Sequence, residues 1–255
     1  IIGHEYAHAV TGSSAGLVYQ DESGALNESF SDIFGEAVEN YVLGSNDWLM
    51  GDERTSGAIR SMSNPNAFGD PDTYQGTNWF FGAGDNGGVH TNSGVQNFWF
   101  FLLVNGGVGT NDNGDAYSVS GIGLAAASAI AARNLTFYLT ANDGYAEART
   151  NAIQAAIDLY GACSNEVKQT TNAWYAVGVG NPAFDVVGVV SSNYNGRDVS
   201  CFNACDGAAS ANVINGFSPI YSWSTGATTP SISGLCPGVY NVTVTNLFGL
   251  GCSEN

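Results

Sequence analysis

Residues 4–39 read HEYAHAVTGSSAGLVYQDESGALNESFSDIFGEAVE and contain two of the three histidines in the 255-residue chain. On an α-helix, residues four apart lie about 40° apart around the axis and ~6 Å apart along it, so His4 and His8 project from one face. Glu5 lies about 100° around the axis from His4, where it can reach a water molecule on an ion that the histidines hold. The spacing predicts a helical HExxH metal site, with a chance pair of surface histidines as the alternative.

A third metal ligand is predicted on a second helix, within residues 24–40. Glu28 would complete a His₂Glu zinc set, which leaves one position open for catalysis. Asp32 lies one turn further along and would accept the second ring N–H of a histidine ligand; a solvent-facing carboxylate is the alternative. Both carboxylates lie on the face opposite an apolar stripe formed by Leu26, Phe30 and Ile33.

The charge balance restricts the possible partners. Six Lys+Arg against 23 Asp+Glu give a formal net charge of −17. Such a surface repels nucleic-acid phosphates and anionic lipid, and no apolar run approaches the ~20 residues of a membrane span. Carboxylates also suit hard cations such as calcium, although an acidic extracellular surface accounts for most of them.

The start of the chain and its cysteines indicate an exported protein. No initiator methionine, signal peptide or pro-segment is present, and the helical pattern begins at residue 1, so we expect an excised part of a longer precursor. Five cysteines, four of them between Cys201 and Cys252, favour an oxidising compartment. Those four permit three pairings, and Cys163 is either free or paired outside this sequence.

The sequence pattern changes along the chain. Up to residue 180 apolar residues recur at helical spacing, with helices predicted at 122–139, 145–159 and 164–177, the last capped by Ser164. Residues 181–198 read as a linker. Short β-type runs follow in 199–255, so we predict a mainly α domain and then a small all-β, sandwich-like module. Its core-facing residues would be Tyr221, Trp223, Ile232, Leu235, Val239, Tyr240 and Val242.

Three blocks together resemble one enzyme family. Residues 4–39, DNGGVHTNSGV at 85–95 and EVKQTTNAWYAVGVG at 166–180 are similar, in order, to the active-site segments of thermolysin-type metallopeptidases, which are gluzincins. The resemblance implies that residues 1–180 are the helical C-terminal part of a catalytic domain whose β-rich N-terminal half is missing here. The position of Glu28 disfavours zinc aminopeptidases, which place their glutamate one residue closer.

The resemblance also implies roles for single residues. Glu5 would be the general base, and Asp32 the partner of His4. The zinc ligands would be His4, His8 and Glu28.

Further residues would contact the substrate. His90 would stabilise the oxyanion, oriented by Asp85, with Tyr19 as a second donor. Arg60 would border the pocket for the residue after the cut, and Ile59 would line that pocket, so an apolar residue is expected there. A structural arginine that satisfies loop carbonyls is the alternative for Arg60.

The family's calcium site has matching positions as well. Glu36, Glu39 and Asp47 correspond to ligands, and Asp52 is a further candidate. Leu49 stands where some members have a glutamate and can offer only its backbone carbonyl, which favours one calcium ion over two.

Residues 199–252 resemble the SprB-type repeat of large secreted surface proteins. Together the resemblances predict a secreted, calcium-stabilised zinc endopeptidase that acts on proteins or peptides, with possible attachment to a cell surface through the module. The alternative is a surface-binding or adhesive protein whose protease region is a remnant.

Overall fold

The computed structural model describes residues 1–52, 54–215, 219–245 and 251–254, with the backbone alone at 185 and 251–254. The chain divides into two compact units, Ile1–Pro182 and Ala183–Asn255. Segments 216–218 and 246–250 of the predicted β module, and the Cys252 side chain, lie outside the described residues. No helix in the described ranges combines the length and the apolar character that crossing a membrane requires.

The first unit is mainly helical, as predicted. Helix α7 begins after Ser164, whose side chain accepts the backbone N–H of Val167 as an N-cap. The helix predicted at 122–139 is an α-helix followed by a π-helical turn, Asn134–Tyr138. The described helices are α1 Ile2–Ser13, α2 Asp21–Leu43, α3 Asp85–Asn92, α4 Gly94–Asn105, α5 Leu124–Arg133, α6 Tyr145–Tyr160 and α7 Asn165–Ala176.

Two small antiparallel hairpins interrupt the helices. Strand β1, Leu49–Met50, pairs with β2, Arg60–Ser61, and thereby fixes the position of Arg60. Strand β3, Gly107–Thr110, pairs with β4, Ala116–Val119. A short 3₁₀ helix, Pro65–Phe68, follows β2.

Helix α2 lies in the middle of this unit. Its apolar residues Leu26, Phe30 and Ile33 are fully buried, and so is the carboxylate of Asp32 on another face. The solvent-facing alternative for Asp32 is therefore wrong. A charged group buried this deeply requires partners, because desolvation of a carboxylate is costly unless hydrogen bonds replace the lost water.

Two glycines let α1 and α2 approach closely. A Cβ atom added at Gly3 would lie 3.3 Å from the Cα of Gly35, and one at Gly35 would lie 3.6 Å from the backbone nitrogen of His4. Larger side chains at the crossing would push the helices apart. The close approach therefore places His4 directly beside α2.

Aromatic packing fixes α4 against the rest of the unit. Trp99 on α4 stacks on Trp174 of α7 with ring centroids 4.7 Å apart, and both side chains are fully buried. Tyr145 closes the same cluster and donates its hydroxyl to the carbonyl of Asn92. Such rings bury large apolar areas, so α4 has a well-defined position against α7.

The second unit consists of antiparallel strands in the part of it that the structure describes. One sheet has the order β5-β6-β8 and the other the order β7-β9-β10. Both contribute to one apolar cluster, which includes Val186, Trp223 and Val244. The strands are β5 Asp185–Val190, β6 Gly207–Ile214, β7 Ile220–Trp223, β8 Ser231–Leu235, β9 Val242–Thr245 and β10 Gly251–Glu254.

The structure corrects details of the predicted module. Residues 181–198 are not a linker throughout, because they contain β5, which pairs along its length with β6. Val239 does not face the core, since its side chain is 83% exposed, whereas Trp223, Ile232 and Val242 are buried. Alternating apolar residues predicted the strands, but not which loop residues would be covered. The sandwich-like arrangement stays a prediction.

The structure answers part of the question of how the cysteines pair. Cys205 and Cys236 form a disulfide within the second unit. Cys163 is disulfide-bonded, so the free-thiol alternative for this residue is wrong.

Candidate metal centre

The structure brings together the three side chains predicted as zinc ligands. The Nε2 atoms of His4 and His8 lie 3.1 Å apart. The Glu28 carboxylate faces both rings, with Oε2 3.6 Å from His4 Nε2 and Oε1 3.4 Å from His8 Nε2. His4 and His8 come from α1 and Glu28 from α2, so the close crossing of these helices creates the cluster.

Hydrogen bonds at the far side of each ring orient the histidines. His4 Nδ1 lies 2.8 Å from Asp32 Oδ1, which can only accept. His8 Nδ1 lies 2.8 Å from Asn27 Oδ1, while the Asn27 amide nitrogen donates to the carbonyl of Leu17. Both rings therefore carry their proton on Nδ1, which leaves the two Nε2 lone pairs directed at each other.

This arrangement fits a metal ion. Two bare ring nitrogens 3.1 Å apart beside a carboxylate repel one another unless a cation lies between them. Zinc bound tetrahedrally at about 2.0–2.1 Å separates its ligand atoms by about 3.3 Å. The observed separations of 3.1, 3.4 and 3.6 Å lie close to that value. The donor set of two imidazoles and one carboxylate is also one that zinc prefers.

Asp32 is the most strongly supported carboxylate in the site. Arg60 donates to it from Nε and Nη2, both over 2.8 Å, and Asn97 donates from α4 over 2.8 Å. Burial alone would raise the pKa of the Asp32 carboxyl, but the Arg60 charge and the hydrogen bonds from His4 and Arg60 outweigh it and hold that pKa below its usual range.

Arg60 makes an ion pair that the sequence did not indicate, and its place beside the substrate pocket stays a prediction. Its guanidinium is buried against Asp32, with Nη2 also 3.5 Å from Glu28 Oε2, rather than against loop carbonyls. Burial lowers the pKa of Arg60, but the charge and hydrogen bonds of Asp32 raise it further, so the net shift is upward. Ile59 has no such contact with the cluster: its side chain is 42% exposed and its N–H donates to the carbonyl of Met50.

A second group of predicted residues lies on the open side of the cluster. Asp85 accepts two hydrogen bonds from His90, one from its backbone N–H over 2.9 Å and one from its ring Nδ1 over 2.6 Å. His90 Nε2 then lies 3.2 Å from the Tyr19 hydroxyl and 3.5 Å from Glu28 Oε1. Tyr19 donates its hydroxyl to Glu28. Two polar groups, Tyr19 from the segment before α2 and His90 from α3, therefore converge on the predicted metal ligands.

Glu5 lies on the exposed surface of α1 and has a free carboxylate in the described part of the chain. The Glu28 carboxylate and, to a smaller extent, the Glu5 charge raise the pKa of His8, whereas burial lowers it. An exposed carboxylate next to the ligands is accessible to water, as a general base must be.

The predicted calcium ligands also come together. Carboxylate oxygens of Glu36, Glu39 and Asp47 lie within 4.8 Å of one another. Glu36 is fully buried; its Oε1 has no partner among the described residues, while Asn46 donates to Oε2. Burial raises the pKa of Glu36 to about 7, with the charges of Glu39 and Asp47 adding to the shift and the Asn46 amide opposing it.

Leu49 contacts the acidic cluster through its backbone N–H as well, and the predicted role of its carbonyl stays a prediction. Its backbone N–H donates to Asp47 Oδ1 over 2.9 Å, so it orients a carboxylate. Asp52 is not among the three carboxylates that cluster in the described residues.

Sequence reasoning missed the amide and hydroxyl partners of the ligands. Asn27 and Ser31 lie four apart on α2, and Ser31 Oγ is 3.1 Å from His8 Nδ1. Polar residues in a helix otherwise rich in buried apolar side chains were a usable signal for this pair. Asn97 gave no such signal, because it belongs to a different helix, 65 residues from Asp32.

Comparison with known proteins identifies relatives of the first unit. The family model described as "Thermolysin metallopeptidase, alpha-helical domain" matches residues 15–179. Bacillolysin of Bacillus cereus and thermolysin of Alicyclobacillus acidocaldarius subsp. acidocaldarius are each 47% identical over 184 residues, which is 70% of this chain and 31% and 32% of those proteins. Among solved structures, the precursor of protealysin, a metalloproteinase from Serratia proteamaculans, matches with a TM-score of 0.57 and 29% identity, covering 70% of this chain and 56% of that one.

Proposed function

The chain belongs to the thermolysin metallopeptidase family, and from that premise we propose that it carries the zinc ligands and main catalytic side chains of a secreted endopeptidase. It spans about a third of the length of the curated relatives that it matches. Peptide-bond hydrolysis is therefore proposed for the longer protein that contains this chain, with a β-rich half in front of residue 1 forming the other wall of the cleft.

One observation carries the proposal. His4 and His8 present unprotonated Nε2 atoms 3.1 Å apart, next to Glu28, because Asp32 and Asn27 hold both Nδ1 protons. A structural histidine pair would not need two separate acceptors that force both lone pairs into the same space. We assign His4, His8 and Glu28 as the zinc ligands.

The catalytic chemistry follows from groups around these ligands. Bound zinc supplies a water molecule of lowered pKa and a Lewis acid for the scissile carbonyl. Glu5 takes a proton from the attacking water and delivers it to the leaving amine. Its exposure on α1, beside His8, gives it access to both.

His90 and Tyr19 stabilise the negative charge that develops on the carbonyl oxygen. With Nδ1 held by Asp85, His90 presents Nε2 toward the ligand cluster, 3.5 Å from Glu28. In the absence of substrate Tyr19 donates to Glu28, and we propose that its hydroxyl turns to the oxyanion when substrate is bound. Loss of one such donor typically costs about 10²–10³ in rate.

Substrate preference is proposed to depend on the region around β2. Arg60 uses Nε and Nη2 for Asp32 and Glu28, which leaves Nη1 of its five N–H donors for a substrate carbonyl. We propose that the half-exposed Ile59 lines the neighbouring pocket, so that an apolar residue follows the cleaved bond.

The proposal also includes a structural calcium ion and a role for the second unit. We propose that Glu36, Glu39 and Asp47 bind one structural calcium ion, because the buried, unpartnered oxygen of Glu36 lacks a positive partner. The resemblance of 199–252 to SprB-type repeats supports an extracellular protein, in which the β unit is a spacer, adhesive module or cell-surface carrier.

The experiment replaces Glu5 by Gln in the protein expressed with its preceding sequence. We expect kcat on an internally quenched peptide to fall by about 10³-fold, with one zinc retained, because Glu5 moves a proton but is not a ligand. The matched control is Glu166→Gln, which removes the same charge from the first turn of another helix. Activity that survives Glu5→Gln would exclude this mechanism; zinc binding without hydrolysis in the unsubstituted protein would favour the surface-binding alternative.

A further inference from the structure

Asn97 contacts the site from a helix that contributes no ligand. It lies on α4, is 1% exposed, and donates from Nδ2 to Asp32 Oδ2 over 2.8 Å. The stacked pair Trp99–Trp174 fixes this helix two residues further along. Asn97 is thus a rigidly mounted donor on the far side of Asp32 from His4.

The hydrogen bonds on Asp32 explain what this donor does. His4 Nδ1 and Arg60 Nη2 approach Oδ1, and Arg60 Nε and Asn97 Nδ2 approach Oδ2. A carboxylate has about four lone-pair sites, so all are occupied. Without Asn97, Oδ2 would have Arg60 alone as a donor, and the carboxylate could rotate toward the guanidinium and away from His4.

The other end of the Asn97 amide has no partner. Its Oδ1 is buried and makes no hydrogen bond within the described residues. Flipping the amide would point this oxygen at the Asp32 carboxylate, so the donor orientation is the only one that avoids repulsion. An unpaired buried acceptor is unfavourable for folding, which indicates that the amide is retained for its donor.

We infer that Asn97 is a positioning residue of the metal centre: it fixes the Asp32 carboxylate, which in turn holds the His4 ring with Nε2 directed at the metal. The role of the ring toward zinc rests on the proposed function. The hydrogen bond from His4 to Asp32 does not depend on the proposed function, because it exists without any metal.

The chain offers a closely matched control. Asn134 is also 1% exposed, also has a buried Oδ1 without a partner in the described ranges, and also donates from Nδ2, over 2.9 Å, to the carbonyl of Ala148. It lies in the π-helical turn, and its partner is a backbone group of α6. Asn97→Leu and Asn134→Leu therefore remove the same kind of hydrogen bond and the same unpaired oxygen.

The first measurement is NMR of the chain labelled with ¹⁵N-histidine, in the absence of metal. With only three histidines, the Nδ1–H signal of His4 can be assigned by His4→Gln. We expect this proton to exchange slowly in the unsubstituted chain and in Asn134→Leu, and at least ten times faster in Asn97→Leu. Equal exchange in the two Leu variants would overturn the inference.

The second measurement is zinc affinity by competition with a chromophoric chelator. Loss of a group that orients a ligand typically weakens metal binding 10–100-fold, and we expect about 10-fold for Asn97→Leu and no change for Asn134→Leu. Equal affinities would overturn the role toward zinc. If the unsubstituted chain binds no zinc, the proposed function fails, while histidine exchange still decides whether Asn97 positions His4. Should a Leu variant not fold, the pair Asn97→Ala and Asn134→Ala answers the same question.

Discussion

Helix α2 carries residues of two clusters of predicted metal ligands, and the protein supports the two clusters differently. Glu28 belongs to the histidine cluster, and Glu36, eight residues or about 12 Å further along the helix, belongs to the acidic cluster. Both glutamates are buried, yet their pKa values shift in opposite directions.

The difference lies in the neighbours. Burial would raise the pKa of Glu28, but the hydrogen bond from Tyr19 and the positive charge of Arg60 act against it, and the net shift of that pKa is downward. Burial raises the pKa of Glu36 to about 7, and the charges of Glu39 and Asp47 add to the shift, while the Asn46 amide is its one side-chain donor among the described residues. Donors within the protein orient the histidine cluster, whereas the acidic cluster has few donors, which is why we propose that a cation balances its charge.

The largest expected effect is on zinc affinity, which should depend on the histidine cluster and not on the acidic cluster. Glu28→Ala should weaken zinc binding by about 10³-fold, more than the 10–100-fold typical for loss of a partner of a ligand, because a ligand itself is removed. Glu36→Ala should leave zinc affinity within about 3-fold, since it lies two turns away. Chelator competition on both variants measures this. A similar loss in both would mean that the clusters are one site.

The next effect concerns calcium. Calcium at about 100 times its Kd should stabilise the chain by about 2.7 kcal/mol, or about 5–10 °C in Tm. In Glu36→Gln at least half of this increment should disappear. The Tm without calcium should not fall, because the substitution removes a buried carboxylate that has an unpaired oxygen among the described residues. Calorimetry with calcium and with a calcium chelator measures both. Glu28→Gln should keep the full rise in Tm on addition of calcium. Loss of that rise in Glu28→Gln would contradict the separation of the two sites.

The smallest effect tests the same electrostatic argument at a third carboxylate. Burial raises the pKa of Asp70 from 3.8 to about 7, the Asp32 charge adds to the shift, and the Arg60 charge opposes it. The folded state therefore binds more protons than the unfolded state between these values, so stability is lost as pH rises through that range. Asp70→Asn should be more stable than the unsubstituted chain by about 1 kcal/mol at pH 8, and little different near pH 4.

Urea unfolding at the two pH values measures this difference. Asp158→Asn is the control, because hydrogen bonds from Tyr138 and then Arg133 lower the pKa of that exposed carboxyl to about 2. It should show no such gain at pH 8. A gain for Asp70→Asn that is equal at both pH values would show that a packing change, and not the buried charge, is responsible.

Much of the site could be predicted because its ligands obey local rules. The spacing of His4 and His8 is a property of any α-helix, and Glu28 and Asp32 share a face of α2 for the same reason. Glu36, Glu39 and Asp47 were placed by resemblance, and the structure brings them together. The helix at 164–177 could be predicted within a residue because Ser164 is a local cap.

Other features depended on packing between distant segments. The ion pair of Arg60 with Asp32, which the β1–β2 hairpin makes possible, was not predicted. The linker expected at 181–198 includes β5, whose pairing with β6 is a non-local interaction. Val239 was predicted to face the core, yet it lies before β9 and is exposed.

By itself, the sequence determined which side chains are candidates to bind metal, because a helical spacing of four puts His4 and His8 on one face of α1 and Glu28 and Asp32 on one face of α2. Only the tertiary structure decided which groups hold those atoms in place. Asn97 and Arg60 reach Asp32 from segments 65 and 28 residues away. Their contacts exist because buried charges require donors and because the packing of α4 and the hairpin delivers those donors to one point.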